Sequence, residues 1–268
     1  GKMPAIPADA DPREVLAKWM TSKQNPYFAK VLVNRVWADL MGRGIVEPVD
    51  DLRATNPPTN PELLDALATH FQKSDYDVKE LLRTIVASEV YALGSLTNSR
   101  NQADRVNYSR HYRTRLRAEV LSDALSDITG RAESFPAMPN GSRANQIWTT
   151  RVDSVLLDTF GRQNENQDPP CERLVESTVT QALHLMNSPQ LYSRLTHKSG
   201  RAAKMAASNL NADELTEEIY LLVYGRTPVE EERQLGRTLF DDGKKSRQQQ
   251  VEDLLWALIN TPEFAFKD

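Results

Sequence analysis

Apolar residues recur with helical spacing along most of the chain, and the first segments begin with clear helix-start signals. Phe28, Leu32, Val36 and Leu40 fall on every fourth position, which places them on one face of a helix. A capping side chain followed by proline is a favoured helix start. It occurs three times in the first part of the chain: Asp11-Pro12, Asn25-Pro26 and Asn60-Pro61. These patterns predict helices near 12–20, 26–41 and 61–71, and Asp77 caps a fourth over 78–86.

The same periodicity continues through the second half of the chain. It predicts a fifth helix from Thr114 to Thr129, which Gly130 ends. Later helices are predicted at Thr178–Asn187, Pro189–His197, Ala212–Tyr224, Pro228–Asp241 and Ser246–Asn260. Strand-like alternation is confined to Gln146–Phe160, where one short hairpin could form. We therefore predict an all-α fold of about ten helices.

One short motif is used twice. Met186-Asn187-Ser188-Pro189 resembles Ile259-Asn260-Thr261-Pro262. Asn tolerates the left-handed conformation that ends a helix, Ser or Thr caps the next helix, and Pro starts it. The motif predicts a sharp corner between two helices and indicates no chemistry.

The segment from Arg131 to Glu176 lacks helical periodicity and contains four prolines and two glycines. A long irregular segment in a compact domain is functional, ordered by packing or disordered. Its large apolar residues argue against disorder throughout. We predict a single domain over residues 1–268, with N-terminal helices in 1–95, a basic helix and the irregular segment in 96–176, and C-terminal helices in 177–268.

Composition narrows the class of protein. The chain has 268 residues, of which 40% are hydrophobic and 26% charged, as in globular proteins. The net charge of −4 excludes a uniformly basic nucleic-acid binder. No apolar run approaches eighteen residues, so we predict no membrane span. The single Cys171 excludes an internal disulfide, a cysteine-based zinc site and a C-x-x-C-H haem attachment, and we predict no cofactor or metal in this chain.

Charge is uneven along the chain. The segment 100–117 holds six arginines and one acid, interleaved with Tyr108 and Tyr112. Such a cluster can bind an anion, for example a phosphate, a sulfated glycan or a nucleic acid. The alternative is a solvated face whose arginines pair with the acidic segment 213–242.

Polar residues also gather around the end of the second predicted helix. A carboxylate pair beside arginines can perform acid–base chemistry or bind a hard cation. The alternative is that the aspartates cap a helix or pair with arginine. The residues concerned are Asn34, Arg35, Asp39, Arg43, Glu47, Asp50 and Asp51.

The remaining candidates are isolated. His184 lies on an apolar helix, which favours a buried, hydrogen-bonded histidine over a metal ligand. Cys171 has no cysteine partner and would need a nearby base to act as a nucleophile. No G-x-S-x-G, P-loop or dinucleotide fingerprint occurs, so no catalytic signature is recognised and the enzyme question stays open.

Several motifs together resemble one family. They are Asn25-Pro26-Tyr27-Phe28-Ala29, Val33-Asn34-Arg35-Val36-Trp37, the run from Gly42 to Asp51, Asn60-Pro61-Glu62-Leu63-Leu64, Phe160-Gly161-Arg162, Cys171-Glu172-Arg173 and the run from Gln181 to Ser188. The chain is similar over nearly its whole length to the planctomycete-type C-terminal domain of unknown function. That domain follows cytochrome-c-like domains in large secreted proteins of Planctomycetes- or Verrucomicrobia-like bacteria.

The resemblance implies an exported location, which is periplasmic, cell-surface or extracellular. It implies companion haem domains upstream but no established reaction. Many relatives resemble C-x-C-E-R where this chain has Pro169-Pro170-Cys171-Glu172-Arg173. The missing first cysteine argues against a metal, redox or disulfide role for the pair.

Three hypotheses of function follow. The first is a structural or interaction module that binds upstream cytochrome-c-like domains or envelope proteins. The second is a domain that binds or degrades a polysaccharide, with sulfated glycans included. The third is anion or nucleic-acid binding through 100–117, although the net charge disfavours nucleic acid. A polar site, if present, would draw on ten residues: Asn34, Arg35, Arg43, Asp50, Asp51, Arg162, Glu172, Arg173, Gln181 and His184.

Overall fold

The computed structural model describes residues 6, 11–136, 138–149, 152–162 and 178–267. The chain divides into two compact units, of which the first ends at Arg113 and the second spans Thr114–Lys267. The first is called the N-terminal unit below, and the second the C-terminal unit.

The N-terminal unit contains four described helices: α1 (Pro12–Met20), α2 (Pro26–Met41), α3 (Pro61–Lys73) and α4 (Val78–Val86). All four predicted helix starts are confirmed. The side chain of each cap accepts a hydrogen bond from a backbone N–H of the first turn, as expected for N-caps. These caps are Asp11, Asn25, Asn60 and Asp77.

The core of this unit lies between α2, α3 and α4. Val33 and Trp37 of α2 pack in one buried cluster with Phe71 of α3 and Leu81 of α4. Gly42 ends α2 with a φ of 80°, the left-handed conformation that glycine adopts without a steric cost. That turn directs the chain into the loop that connects α2 with α3, residues 42–60, here called the α2–α3 loop.

The C-terminal unit contains the remaining described elements. They are β1 (Thr114–Arg115), α5 (Ala118–Thr129), α6 (Val155–Thr159), α7 (Val179–Asn187), α8 (Pro189–Leu195), α9 (Arg201–Ala206), α10 (Ala212–Tyr224), α11 (Glu230–Asp241), α12 (Arg247–Ile259), α13 (Pro262–Ala265) and β2 (Phe266–Lys267). Its core combines α5, α10 and α12 around Leu121, Leu125, Leu215, Ile219 and Leu255. With thirteen helices in the described residues, the predicted all-α class is confirmed.

The predicted start of the fifth helix at Thr114 is wrong. Thr114 pairs with Lys267 and Arg115 with Phe266 in a two-stranded antiparallel sheet, and α5 begins at Ala118. The backbone N–H of Leu116 donates to the carbonyl of Ala265 at 3.0 Å. The partner strand comes from the far end of the sequence, so a local pattern could not show it.

The hairpin suggested for Gln146–Phe160 is also wrong. A 3₁₀ turn covers Ala144–Gln146, and α6 follows because the hydroxyl of Ser154 caps it, accepting from the N–H of Leu157 at 3.2 Å. The described parts of the irregular segment are ordered by packing, since Phe135 and Val152 belong to the core of the unit. The sequence also missed α9.

Both predicted helix corners are confirmed. Ser188 caps α8 by accepting from Leu191, and Thr261 caps α13 by accepting from Phe264, each with proline in the first turn. The predicted left-handed conformation of the asparagine is wrong at Asn260, which ends α12 with a φ of −89°.

Within the part of the chain that the structure describes, no helix has the length and apolar character needed to cross a membrane.

Candidate functional site

Asn34 anchors the α2–α3 loop rather than facing a ligand. The side chain is fully buried. Its Nδ2 donates to the carbonyls of Val46 at 2.9 Å and Val49 at 2.7 Å, and its Oδ1 accepts from the N–H of Val46 at 2.9 Å. The amide thus satisfies three backbone groups that the loop would otherwise bury unpaired.

The two predicted aspartates of this loop each pair with an arginine. Arg35 Nε lies 2.6 Å from Asp50 Oδ1, and Arg53 Nε lies 2.6 Å from Asp51 Oδ1. The hydrogen bond from Arg53 lowers the pKa of the Asp51 carboxyl below its ordinary value. A carboxylate held ionised by a guanidinium is a poor proton donor near neutral pH. The ion-pair alternative therefore describes this loop better than acid–base chemistry does.

Arg43 lies at a cluster that the sequence did not single out. Its backbone carbonyl accepts from the Tyr108 hydroxyl at 3.1 Å, and the Tyr108 ring meets Trp37 edge-to-face with centroids 5.4 Å apart. Burial raises the pKa of Tyr108 to about 12. Among the described residues, the buried Nε of Arg43 has no hydrogen-bond partner. Glu47 accepts from the N–H of Gly44 at 2.8 Å, so it also holds the loop.

Three of the predicted site residues lie near α6 in the C-terminal unit. Arg162 Nε lies 2.8 Å from Asp158 Oδ1, and Gln181 Nε2 donates to the carbonyl of Thr159 at 3.1 Å. The rings of His184 and Phe160 meet edge-to-face with their centroids 6.1 Å apart, and burial lowers the pKa of this histidine. The contacts of Gln181 and His184 join α7 to the α6 region, and the Arg162 ion pair stays within that region, so all three are typical of packing.

The ten predicted residues divide between the two units. The five from Asn34 to Asp51 belong to the N-terminal unit, and Arg162, Gln181 and His184 belong to the C-terminal unit. Glu172, Arg173 and Cys171 lie outside the described residues. The hypothesis that Arg35, Arg43, Asp50, Asp51, Arg162, Glu172 and Arg173 converge on one cleft stays a prediction.

A partly buried acid that sequence reasoning missed lies in the C-terminal unit. Glu133 accepts from the hydroxyls of Ser122 at 3.0 Å and Ser154 at 2.7 Å, and the guanidinium of Arg194 lies 3.9 Å away. Arg194 also donates to the carbonyl of Arg131 at 3.0 Å, and burial lowers its pKa. These partners are far apart in sequence, so no spacing could have revealed the cluster.

A cavity of about 270 Å³ lies beside Glu133. Arg143 on its wall pairs with Asp127 at 2.8 Å and with Asp123 at 3.4 Å. Asp123 also accepts from the N–H of Ala144 at 2.7 Å. Because Arg143 pairs with both carboxylates and Asp123 also holds the backbone of Ala144, these groups form a structural network.

The arginine-rich segment 100–117 is largely engaged with the protein. Arg110 is buried, and its guanidinium lies 5.2 Å from the centroid of the Tyr112 ring. Arg113 donates to the hydroxyl of Ser95 at 2.9 Å. The Ser109 hydroxyl and nearby backbone N–H groups lower the pKa of Asp104 well below its usual range. Binding of an anion here stays a prediction.

The acids of segment 213–242 include Asp213 and Glu217, which pair with Arg237 and Arg233 of that same segment.

Helix α1 differs from the other helices of the described residues because it buries none of its side chains. Leu16, Trp19 and Met20 are 52%, 49% and 43% exposed, respectively. Positions three and four apart share one face of a helix, so these three side chains form one apolar surface, here called the α1 face. The hydroxyl of Tyr76 donates to the carbonyl of Thr21, just after the helix.

A groove of about 410 Å³ runs between α8 and α12, here called the α8–α12 groove. Its lining combines two exposed aromatic rings with acids and an amide: Tyr192, Leu195, Thr196, Lys245, Gln249, Glu252, Asp253 and Trp256. In the described residues, no group of three or more His, Cys, Asp or Glu side chains could hold a metal ion.

The comparisons with known proteins give one match. No curated protein and no solved structure matches the chain. The family model of PSD1, described as a protein of unknown function (DUF1553), matches residues 12–240. This confirms the resemblance to a domain of unknown function. Because the match covers most of the chain, the chain belongs to the PSD1 (DUF1553) family.

Proposed function

We propose that this chain is a non-catalytic interaction module of an exported protein, and that its α1 face binds the partner protein. The observation that supports this most strongly is the exposure of Leu16, Trp19 and Met20 on a helix with no buried residue. Large apolar side chains grouped on one exposed surface mark interaction sites.

The short length of α1 strengthens this argument. The helix has nine residues, and isolated helices of this length are marginal in water. Helices in proteins gain most of their stability from packing an apolar face. A groove on a partner protein would supply that packing, in the way that amphipathic helices bind hydrophobic grooves.

The polar candidates support an interaction role over catalysis. Asn34, Asp50 and Asp51 hold the α2–α3 loop, and Glu133 joins elements of the C-terminal unit. The partner class that we propose is the cytochrome-c-like domain of an exported envelope protein, which the sequence resemblance implies. The haem belongs to that partner, and this chain supplies the apolar helix.

The test measures amide hydrogen exchange in α1 with and without a purified cytochrome-c-like domain, taken from a protein that carries both domain types. We expect α1 amides to exchange rapidly in the free chain and to become protected on binding. Leu16→Glu combined with Met20→Glu should abolish the protection. Leu96→Glu is the matched control, because Leu96 is an 84% exposed leucine of the same unit that lies outside α1.

Three outcomes would overturn the proposal. The first is that α1 gains no protection at partner concentrations up to roughly 1 mM. A dissociation constant above that concentration is too weak to hold two domains of one protein together. The second is binding that the double substitution leaves unchanged. The third is an equal loss of binding in the Leu96→Glu control.

A further inference from the structure

We propose that the α8–α12 groove binds a neutral or amino-substituted oligosaccharide. The groove is concave, and helices α8 and α12 carry most of its lining, so the site lies on a rigid scaffold. This site is separate from the α1 face, and no residue that the sequence singled out for polysaccharide binding belongs to it.

Two aromatic side chains supply the apolar surfaces that sugar rings require. Tyr192 is 64% exposed, although large aromatic residues usually bury most of their area, and Trp256 leaves 37% of its surface exposed. The C–H faces of a pyranose pack against aromatic rings, while the hydroxyl groups point outward toward polar partners. A tyrosine and a tryptophan beside one groove are therefore suited to a chain of at least two sugar rings.

The indole of Trp256 is held in place before any ligand binds. Its Nε1 donates to the carbonyl of Met186, at the end of α7, at 3.4 Å. Leu195 is buried at the bottom of the same groove. A ring that is already fixed loses little conformational entropy on binding, which favours affinity.

Polar groups beside the rings can bind sugar hydroxyls. Asp253 and Glu252 provide carboxylate oxygens, and a carboxylate can accept hydrogen bonds from two adjacent hydroxyl groups. Asp253 forms an ion pair with Lys245, with side chains 44% and 54% exposed. An ion pair so open to solvent is weak, so a ligand can displace the ammonium group at little cost.

Charge decides which class of sugar fits. The lining contains two acids, Glu252 and Asp253, and one base, Lys245, so its net charge is negative. A sulfated or carboxylated glycan would be repelled, whereas a neutral sugar would not and an amino sugar would be attracted. A lipid chain would require an apolar lining without these two carboxylates.

The test titrates the full chain with four defined hexasaccharides and follows binding by calorimetry. The probes are cellohexaose, chitohexaose, the fully deacetylated glucosamine hexamer and a sulfated galactan hexamer. We expect dissociation constants of roughly 10–1000 μM for one or more of the first three. Tyr192→Ala should weaken binding about tenfold through the lost ring contact. Tyr27→Ala is the matched control, because Tyr27 is a 57% exposed tyrosine outside the groove and should leave affinity unchanged.

The outcomes separate this proposal from the proposed function. Leu16→Glu with Met20→Glu should leave sugar binding intact, so that either proposal can fail alone. No binding of any probe at about 10 mM overturns the saccharide site. The proposal is also overturned if the sulfated probe binds more tightly than the other three probes, or if Tyr192→Ala leaves sugar affinity unchanged. Self-association that Tyr192→Ala abolishes, without sugar binding, would assign the groove to a protein interface instead.

Discussion

The α2–α3 loop and the α8–α12 groove use their side chains in opposite ways. In the loop, Asn34 satisfies buried backbone groups, and Asp50 and Asp51 each pair with an arginine. In the groove, Tyr192 exposes most of its surface to solvent and Trp256 exposes about a third. The loop is closed by its own contacts, whereas the groove presents surface that a ligand can cover.

This difference shows how motif residues can mislead. The loop carries the residues that look most like chemistry, namely adjacent acids beside arginines, and the fold engages them internally. The groove contains Tyr192 and Trp256, neither of which the sequence singled out as a candidate for chemistry. Polar identity therefore points less reliably to a binding surface than exposure in the folded protein does.

The largest effect that tests the comparison is expected at Asn34. Asn34→Leu should reduce the free energy of unfolding by roughly 3 kcal/mol, because the buried backbone groups of Val46 and the partly buried carbonyl of Val49 would lose their partner. Urea unfolding followed by circular dichroism measures this. Asn187→Ala serves as the control at an exposed asparagine and should cost less than about 0.5 kcal/mol. A loss below about 1 kcal/mol for Asn34→Leu would show that the loop does not depend on this anchor.

The second prediction asks whether the C-terminal unit has an anchor of the same kind. Glu133→Leu should cost about 2–4 kcal/mol, because two serine hydroxyls lose their acceptor and the half-buried guanidinium of Arg194 loses its counter-charge. Glu133→Gln keeps the shape and an acceptor oxygen, so it should cost clearly less. Thermal unfolding of both variants measures the difference. Equal losses would mean that shape rather than charge and hydrogen bonding holds this cluster.

The third prediction concerns pH. Burial raises the pKa of Tyr108 to about 12 from an ordinary value of 10.0, so folding favours the protonated phenol. This contribution is fully present below pH 10 and is lost as pH rises toward 12, so stability of the N-terminal unit should fall across that window. Urea midpoints of the wild type and Tyr108→Phe at pH 9 and 11 measure it. The loss of stability between pH 9 and pH 11 should be smaller in Tyr108→Phe than in the wild type. Tyr27→Phe is the control at an exposed tyrosine and should behave like the wild type. An identical loss of stability in all three proteins would contradict the assignment to Tyr108.

The smallest effect is expected in the groove. Tyr192→Ala should change the free energy of unfolding by less than about 0.5 kcal/mol, because most of that side chain is already in solvent. The same urea experiment measures it beside Asn34→Leu. A loss above about 2 kcal/mol would mean that Tyr192 supports the fold, which would remove the contrast with the α2–α3 loop.

Local signals in the sequence predicted much of the fold. The capped starts at Asp11, Asn25 and Asn60 were correct because a cap depends on residues two or three positions away. The strand at Thr114–Arg115 was missed because its partner lies at Phe266–Lys267. The turn and helix in 144–159 were also missed, since short apolar runs look alike in strands and helices.

The candidate site was predicted less well, for a related reason. Asn34, Arg35 and Asp50 do lie together, but a sequence cannot show whether polar groups face one another or a ligand. Glu133 and Arg194 meet only because the chain folds back, and nothing local connects them.

By itself, the sequence determined the all-α class, most helix boundaries and the two helix corners, because each depends on neighbours along the chain. It also carried the motifs that identify the family. Only the tertiary structure decided which polar residues are engaged, which helix buries nothing and where two aromatic rings border one groove. Those properties depend on burial, and burial is set by contacts between segments that are distant in sequence.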